Sequence, residues 1–104
     1  MAKTVKKTRE SKYIEILAGR NKTLAQCSVL GFRFRDEAHA HGFHYGLMNA
    51  HVDYLLFDST ADGTAVVIIP KESEQADRIR EIAEQAGGKE YKPNLKIAIN
   101  GNNG

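Results

Sequence analysis

The residues with the clearest potential for chemistry are basic side chains concentrated in the first third of the chain. Residues 1–35 contain nine basic and two acidic residues, which gives a net charge of +7. Residues 36–104 contain six basic and eleven acidic residues, which gives a net charge of −5. Such asymmetry indicates a surface that binds nucleic acid or an acidic protein. A solubilising tail opposite acidic helix faces is the other interpretation. The candidate binding residues are Lys3, Lys6, Lys7, Arg9, Lys12, Arg20, Lys22, Arg33 and Arg35.

Aromatic side chains interleave with these cations. Tyr13, Phe32 and Phe34 would stack on nucleotide bases if they face outward. The aromatic strand motif of RNA-recognition modules is absent from residues 64–69, so nucleic-acid binding is expected to be mainly electrostatic and to weaken steeply with salt. A protein partner would instead use a free sheet face and open strand edges. The opposite charges of the two parts of the chain also allow a homo-oligomer.

Histidines form the second dense group, with His39, His41, His44 and His51 inside thirteen residues. On a helix, Glu37, His41 and His44 would share one stripe with Met48. This spacing could hold a divalent metal ion if another element supplied a further ligand. Exposed or partner-facing histidines are the favoured interpretation, because the spacing is common and no second ligand cluster exists. The sequence therefore predicts no metal and no cofactor.

A shorter match concerns His39-Ala40-His41, which resembles the His-hydrophobic-His pair of rolling-circle nickases. That pair needs a strand, on which residues i and i+2 point the same way. A helix is predicted here, and it would separate the two rings by about 200°. The lone Cys27 is predicted to be a buried thiol. A single cysteine forms no internal disulfide, which fits a reducing, cytoplasmic location.

A chain of 104 residues must position these groups, and its composition of 41% hydrophobic and 27% charged residues is ordinary for a globular protein. One domain is expected over residues 12–99, between a flexible basic arm at 1–11 and a flexible tail at 100–104. No apolar run approaches the ~18 residues that a membrane helix needs. We therefore expect no membrane partner, and the basic start of the chain lacks the apolar run of a secretory signal.

Apolar periodicity predicts two helices and five strands. The first helix covers 36–50 and begins at Asp36, and the second covers 73–86 with Ser73 as its cap. Gly87 and Gly88 end the second helix. The strands are predicted at 12–18, 23–34, 52–57, 64–69 and 95–99.

This order predicts an α+β fold, namely a ferredoxin-like βαββαβ sandwich with an extra N-terminal strand. Its sheet would be antiparallel, with both helices on one face. The strand at 12–18 would extend the sheet or lie across it. The second sheet face would be solvated or covered by a partner.

Residues 29–35, Val-Leu-Gly-Phe-Arg-Phe-Arg, resemble the phosphate-binding loop of the acylphosphatase family, Gly-x-Val-Gln-Gly-Val-x-Phe-Arg. Cys27 and Leu30 replace the first Gly and the Gln of that pattern. The resemblance spans residues 24–99 and implies a ferredoxin-like fold and hydrolysis of carboxyl-phosphate bonds, with Arg35 binding the phosphate. The matching positions are Val29, Gly31, Phe34, Arg35, Ala40, Gly42, Gly46, Leu47, Asp62, Gly63 and Pro70.

The family's water-positioning Asn is missing, and Asp53 or Asp58 would stand in its place. A carboxylate beside a bound phosphate opposes anion binding. The sequence therefore favours a non-enzymatic binding module over its alternative, an acylphosphatase-like hydrolase that uses Arg35, Asp53 and Asp58. A further interpretation makes Arg35 a surface residue paired with Asp36 or Glu37.

Overall fold

The structure, a computed structural model, describes residues 9–93, and of Arg9 it describes the backbone alone. Within this range it is an α+β architecture of three α-helices and a four-stranded antiparallel sheet with strand order β2-β3-β1-β4. The elements are α1 (Arg9–Ala18), a 3-10 helix (Leu24–Gln26), β1 (Cys27–Arg33), α2 (Glu37–Asn49), β2 (Leu56–Ser59), β3 (Thr64–Pro70), α3 (Ala76–Gln85) and β4 (Lys89–Tyr91). The strand predicted at 95–99 and the tail lie outside the described residues.

The core consists of two apolar clusters, one on each face of the sheet. The run of β-branched residues in β3 suits a central strand, and β3 is paired on both sides. Side chains of a strand alternate between its two faces. The first cluster therefore joins Val67 of β3 to α2 and α3 through Phe43 and Ile79. The second cluster joins Val66 and Ile68 of β3 to α1 through Tyr13 and Leu17.

The strand predicted at 12–18 is wrong, because this segment is the helix α1. The alternation of Ile14 and Ile16 suggested a strand, yet these two side chains are 36% and 43% exposed. The buried side chains are Tyr13 and Leu17, whose spacing of four residues places them on one helix face.

The helix α1 changes the expectation for the second sheet face, which was predicted to be solvated or covered by a partner. Tyr13 and Leu17 pack there against Leu56, Val66 and Ile68, so this chain covers part of the face itself. The Tyr13 hydroxyl donates a hydrogen bond of 2.9 Å to Asp58 Oδ2 on β2.

The ends of the predicted elements are partly confirmed. Asp36 caps α2 as expected, since its carboxylate accepts the His39 backbone N–H at 3.0 Å. Ser73 is not the cap of α3: its hydroxyl accepts the Gln75 N–H at 3.1 Å, and the helix begins only at Ala76.

The predicted strands also differ in length from those observed. The strand expected at 52–57 is observed as β2, which begins later, at Leu56, and ends at Ser59. The strand expected at 23–34 begins with a 3-10 helix before β1. The strand β4 was not predicted at all, and it supplies one edge of the sheet.

Candidate anion-binding surface

Two cations face each other on the sheet at the end of β1. Arg33 of β1 and Lys89 of β4 are direct partners in the antiparallel register. Arg33 lies on the face that α1 partly covers, because it is an even number of residues from Cys27, which packs beneath α1. Both side chains are exposed. Within residues 9–93 neither of them forms an ion pair.

Like charges in directly opposed strand positions destabilise a sheet. Arg33 and Lys89 occupy such positions, and within residues 9–93 no acidic side chain forms an ion pair with either of them. An anion placed between them would remove the repulsion and gain charge-assisted hydrogen bonds. The pair is therefore a candidate anion-binding site.

The ring of Tyr91 positions the Arg33 guanidinium, whose Cζ lies 4.3 Å from the ring centroid. Tyr91 is the strand partner of Gly31, and a Cβ at Gly31 would lie 2.8 Å from the nearest ring atom. The absence of a side chain at Gly31 thus lets the ring lie against the β1 backbone. A cation–π contact of this kind holds a guanidinium in place and uses none of its N–H groups.

The aromatic residues predicted to stack do not reach this surface. Tyr13, Phe32 and Phe34 are all buried in the core. The sequence does not indicate Tyr91, because it predicts the last strand at 95–99 and no strand over residues 89–91. The signal that could have revealed it is the alternation of Lys89 and Tyr91 directly after the helix-ending Gly87 and Gly88.

The structure divides the other predicted basic residues between the two ends of the sheet. Arg35 is exposed just beyond Arg33. Arg20 and Lys22 precede the opposite end of β1, about 20 Å away for a seven-residue strand. The Nζ atom of Lys22 also lies 4.0 Å from a carboxylate oxygen of Glu72.

The helix α1 ends shortly before β1 begins, so its first residues lie toward the end of the sheet that carries Arg33. The contact of Tyr13 with Asp58 agrees with this direction, since Asp58 is level with the middle of β1. Lys12 is exposed on this helix. Lys3, Lys6, Lys7 and the Arg9 side chain lie outside the described part.

Arg35 does not form the ion pair that one interpretation assigned to it. Hydrogen bonds from the His39 ring and backbone hold the pKa of Asp36 below its ordinary value, and the nearby charge of Arg35 acts in the same direction. Glu37 Oε2 instead lies 3.7 Å from His41 Nε2. Arg35 therefore remains an exposed cation beside an already bonded carboxylate.

The three residues of the hydrolase alternative are not brought together. Asp58 lies on the α1 face and accepts the Tyr13 hydroxyl. Asp53 precedes β2, close to the end of the sheet at which Leu56 pairs with Ile68. Arg35 follows β1 at the opposite end.

The segment that resembles a phosphate-binding loop is mostly a central strand. Gly31, Phe32 and Arg33 have strand partners in both β3 and β4. The Phe34 N–H donates to the Gly63 carbonyl at 2.8 Å. The backbone groups of this segment therefore take part in strand pairing and in the contact with Gly63. Acylphosphatase-like hydrolysis stays a prediction, and no geometric observation supports it.

The histidine cluster is arranged around local pairs. His39 Nδ1 lies 2.6 Å from Asp36 Oδ1. The His44 ring stacks on Phe57 with centroids 3.9 Å apart, and its Nε2 lies 2.7 Å from the Tyr54 hydroxyl. Among residues 9–93, no group of three or more His, Cys, Asp and Glu side chains could hold a metal ion.

Partial burial lowers the pKa of His44, and the charge of His41 acts in the same direction. The unfolded chain, with its higher histidine pKa, then binds more protons than the folded chain near pH 6. We expect the free energy of unfolding, measured with urea, to fall as the pH is lowered from about 7.5 to about 5.5. His44→Phe should lose part of this dependence, whereas replacement of the exposed His51 by Gln should keep it. Identical pH profiles for wild type and His44→Phe would contradict this assignment.

Comparisons with known proteins return no relative. No protein-family model, no curated protein and no solved structure matches the chain. Between residues 9 and 93, no helix is long and apolar enough to cross a membrane. The function is therefore inferred from the geometry of the chain's own residues.

Proposed function

We propose that this protein is a small non-enzymatic binding module that engages an anionic partner, a nucleic acid or an acidic protein surface, through its basic N-terminal region. The observation that carries the proposal is the opposed pair of Arg33 and Lys89. Both cations are exposed, neither is neutralised within the described range, and Tyr91 holds the Arg33 guanidinium in place. A protein that needed only solubility would gain nothing from placing two cations in register.

The remaining basic residues add to the attraction without sharing this site. Arg35 lies beside Arg33, and α1 starts toward the same end of the sheet. Lys3, Lys6 and Lys7 precede α1 in the chain. Additional positive charge on a protein raises the rate at which anionic partners associate with it.

The fold that we propose for this module is ferredoxin-like. The elements after α1 follow the order βαββαβ, and α2 and α3 share one sheet face. The sheet order β2-β3-β1-β4 is compatible with this assignment. We also propose a reducing, cytoplasmic environment, because Cys27 is a free, buried thiol.

Chromatography of the full-length chain on heparin resin tests the proposal. We expect retention at low salt, and we expect Arg33→Gln/Lys89→Gln to elute at clearly lower salt than wild type. Lys71→Gln/Arg78→Gln is the matched control, because it removes two exposed cations elsewhere and changes the net charge equally. Wild type that passes through the resin at low salt would refute the proposal. Equal elution of the two double variants would refute the assignment of the site.

A further inference from the structure

We infer that the anionic partner is a single-stranded nucleic acid, whose phosphates contact Arg33 and Lys89 while a base stacks beside them at the Arg33–Tyr91 pair. This inference rests on the proposed function and names the partner of that same site.

Among the described residues, the part of this sheet face that α1 leaves uncovered is narrow. The helix α1 covers β2 and β3, because Tyr13 and Leu17 pack on side chains of both strands. Within residues 9–93, the part beyond α1 consists of the end of β1 and the strand β4, which carry Arg33, Lys89 and Tyr91, together with Pro93, which lies over Gly31 beside the Tyr91 ring. Two strands span about 10 Å. This width suits one extended nucleic-acid strand. Proteins read a duplex by inserting a helix or a β-ribbon into its groove, whereas β1 and β4 belong to a four-stranded sheet and do not project as a ribbon.

The guanidinium of Arg33 and the ring of Tyr91 are two planar groups in contact on this surface. The ring lies against the Gly31 backbone, and the Arg33 Cζ lies over the ring at 4.3 Å. Nucleotide bases stack both on guanidinium planes and on aromatic rings. The N–H groups at the edge of the same guanidinium can bind a phosphate through two hydrogen bonds.

An acidic protein would use only part of this surface. Its carboxylates would bind the N–H groups of Arg33 and the ammonium of Lys89, but they have no aromatic ring to stack on the Arg33–Tyr91 pair. A single strand offers phosphates and bases in alternation, and therefore matches both the charge and the planar groups. The chemistry on the sheet face thus favours nucleic acid among the anionic partners.

Fluorescence anisotropy with the full-length chain at low salt tests the inference. The three labelled probes are a uridine or thymidine oligonucleotide, a DNA duplex of the same length, and poly-glutamate of matched charge. We expect binding to the single strand to be about tenfold tighter than binding to either other probe, as stacking contributions of one base predict. The single-strand affinity should also fall with rising salt.

Two variants separate stacking from charge. Arg33→Lys keeps the charge but removes the planar guanidinium, so it should weaken single-strand binding by about fivefold or more, and by a clearly larger factor than it weakens poly-glutamate binding. Tyr91→Phe keeps the ring and is the matched reference for Tyr91→Leu, which should bind the single strand about fivefold more weakly than Tyr91→Phe. Unfolding curves check that each variant is folded. If Tyr91→Leu does not fold, the comparison of Arg33→Lys with wild type still tests the inference.

Three other outcomes would contradict the inference, and one of them would also contradict the proposed function. Equal affinity for the oligonucleotide and poly-glutamate, unchanged by Arg33→Lys, would overturn the single-strand inference and leave the proposed anion-binding function standing. Tighter binding to the duplex would also overturn it. Failure to bind any of the three probes at low salt would overturn the inference together with the proposed function.

Discussion

Replacement of Phe43 by alanine is expected to lower the free energy of unfolding by about 3–5 kcal/mol. Phe43 is fully buried, and its ring packs against aromatic rings of β1 and β2. Its ring lies 5.2 Å from those of Phe32 and Phe34, and 5.9 Å from that of Phe57. Alanine would lose the transfer free energy of the ring and leave a cavity among three aromatic side chains that cannot close around it.

Such a loss is a large share of the about 5–15 kcal/mol that stabilises a typical domain. Urea unfolding followed by circular dichroism measures it. Tyr45→Ala is the matched control, since Tyr45 lies on the same helix and is 62% exposed. Its unfolding free energy should stay within about 0.5 kcal/mol of wild type. Similar losses in the two variants would show that Phe43 is not at the centre of the core.

Gly63→Ala is expected to cost about 2–4 kcal/mol, because two separate penalties meet at this position. Gly63 has a φ of +93°, which side chains rarely adopt. A Cβ there would also lie 2.5 Å from the Phe34 carbonyl oxygen and 3.1 Å from the Asp36 backbone. Since the turn between β2 and β3 packs against the start of α2 at this point, the backbone must shift and strain the hydrogen bond between Phe34 and Gly63.

Gly87→Ala separates the two penalties. Gly87 has a similar φ of +88°, but a Cβ there would meet no atom within 4 Å. It should therefore cost only the backbone conformation, about 1 kcal/mol. Thermal or urea unfolding of the two variants side by side gives the difference. Equal losses would mean that the close approach at Gly63 has no energetic consequence.

Several elements could be predicted because their signals are local. Asp36 caps α2 through its own neighbour His39, and Phe43 and Leu47 face the core at helical spacing. The β-branched run of β3 likewise marks a central strand. The segment 12–18 was misread because its isoleucines alternate. Its buried pair is spaced for a helix, and the side to be buried was decided by packing on the sheet.

For the candidate site, too, the local features could be predicted and the tertiary contacts could not. The excess of basic residues and the exposure of Arg33 and Arg35 were predicted from charge and pattern, and both side chains are exposed. The stacking residues were not found, because Tyr13, Phe32 and Phe34 face the core and Tyr91 lies in a strand that the sequence did not suggest. Ring orientation depends on which sheet face is covered, and no local pattern contains that information.

The amino-acid sequence by itself determined the charge imbalance, the cap and apolar stripe of α2, and the central position of β3. These properties can be inferred from composition or from residue types a few positions apart in the chain. The tertiary structure alone decided that Arg33 meets Lys89 and rests on Tyr91, and that α1 occupies the neighbouring part of the same face. Antiparallel register brings together residues that are far apart in the chain, and their contact exists only once the strands have paired.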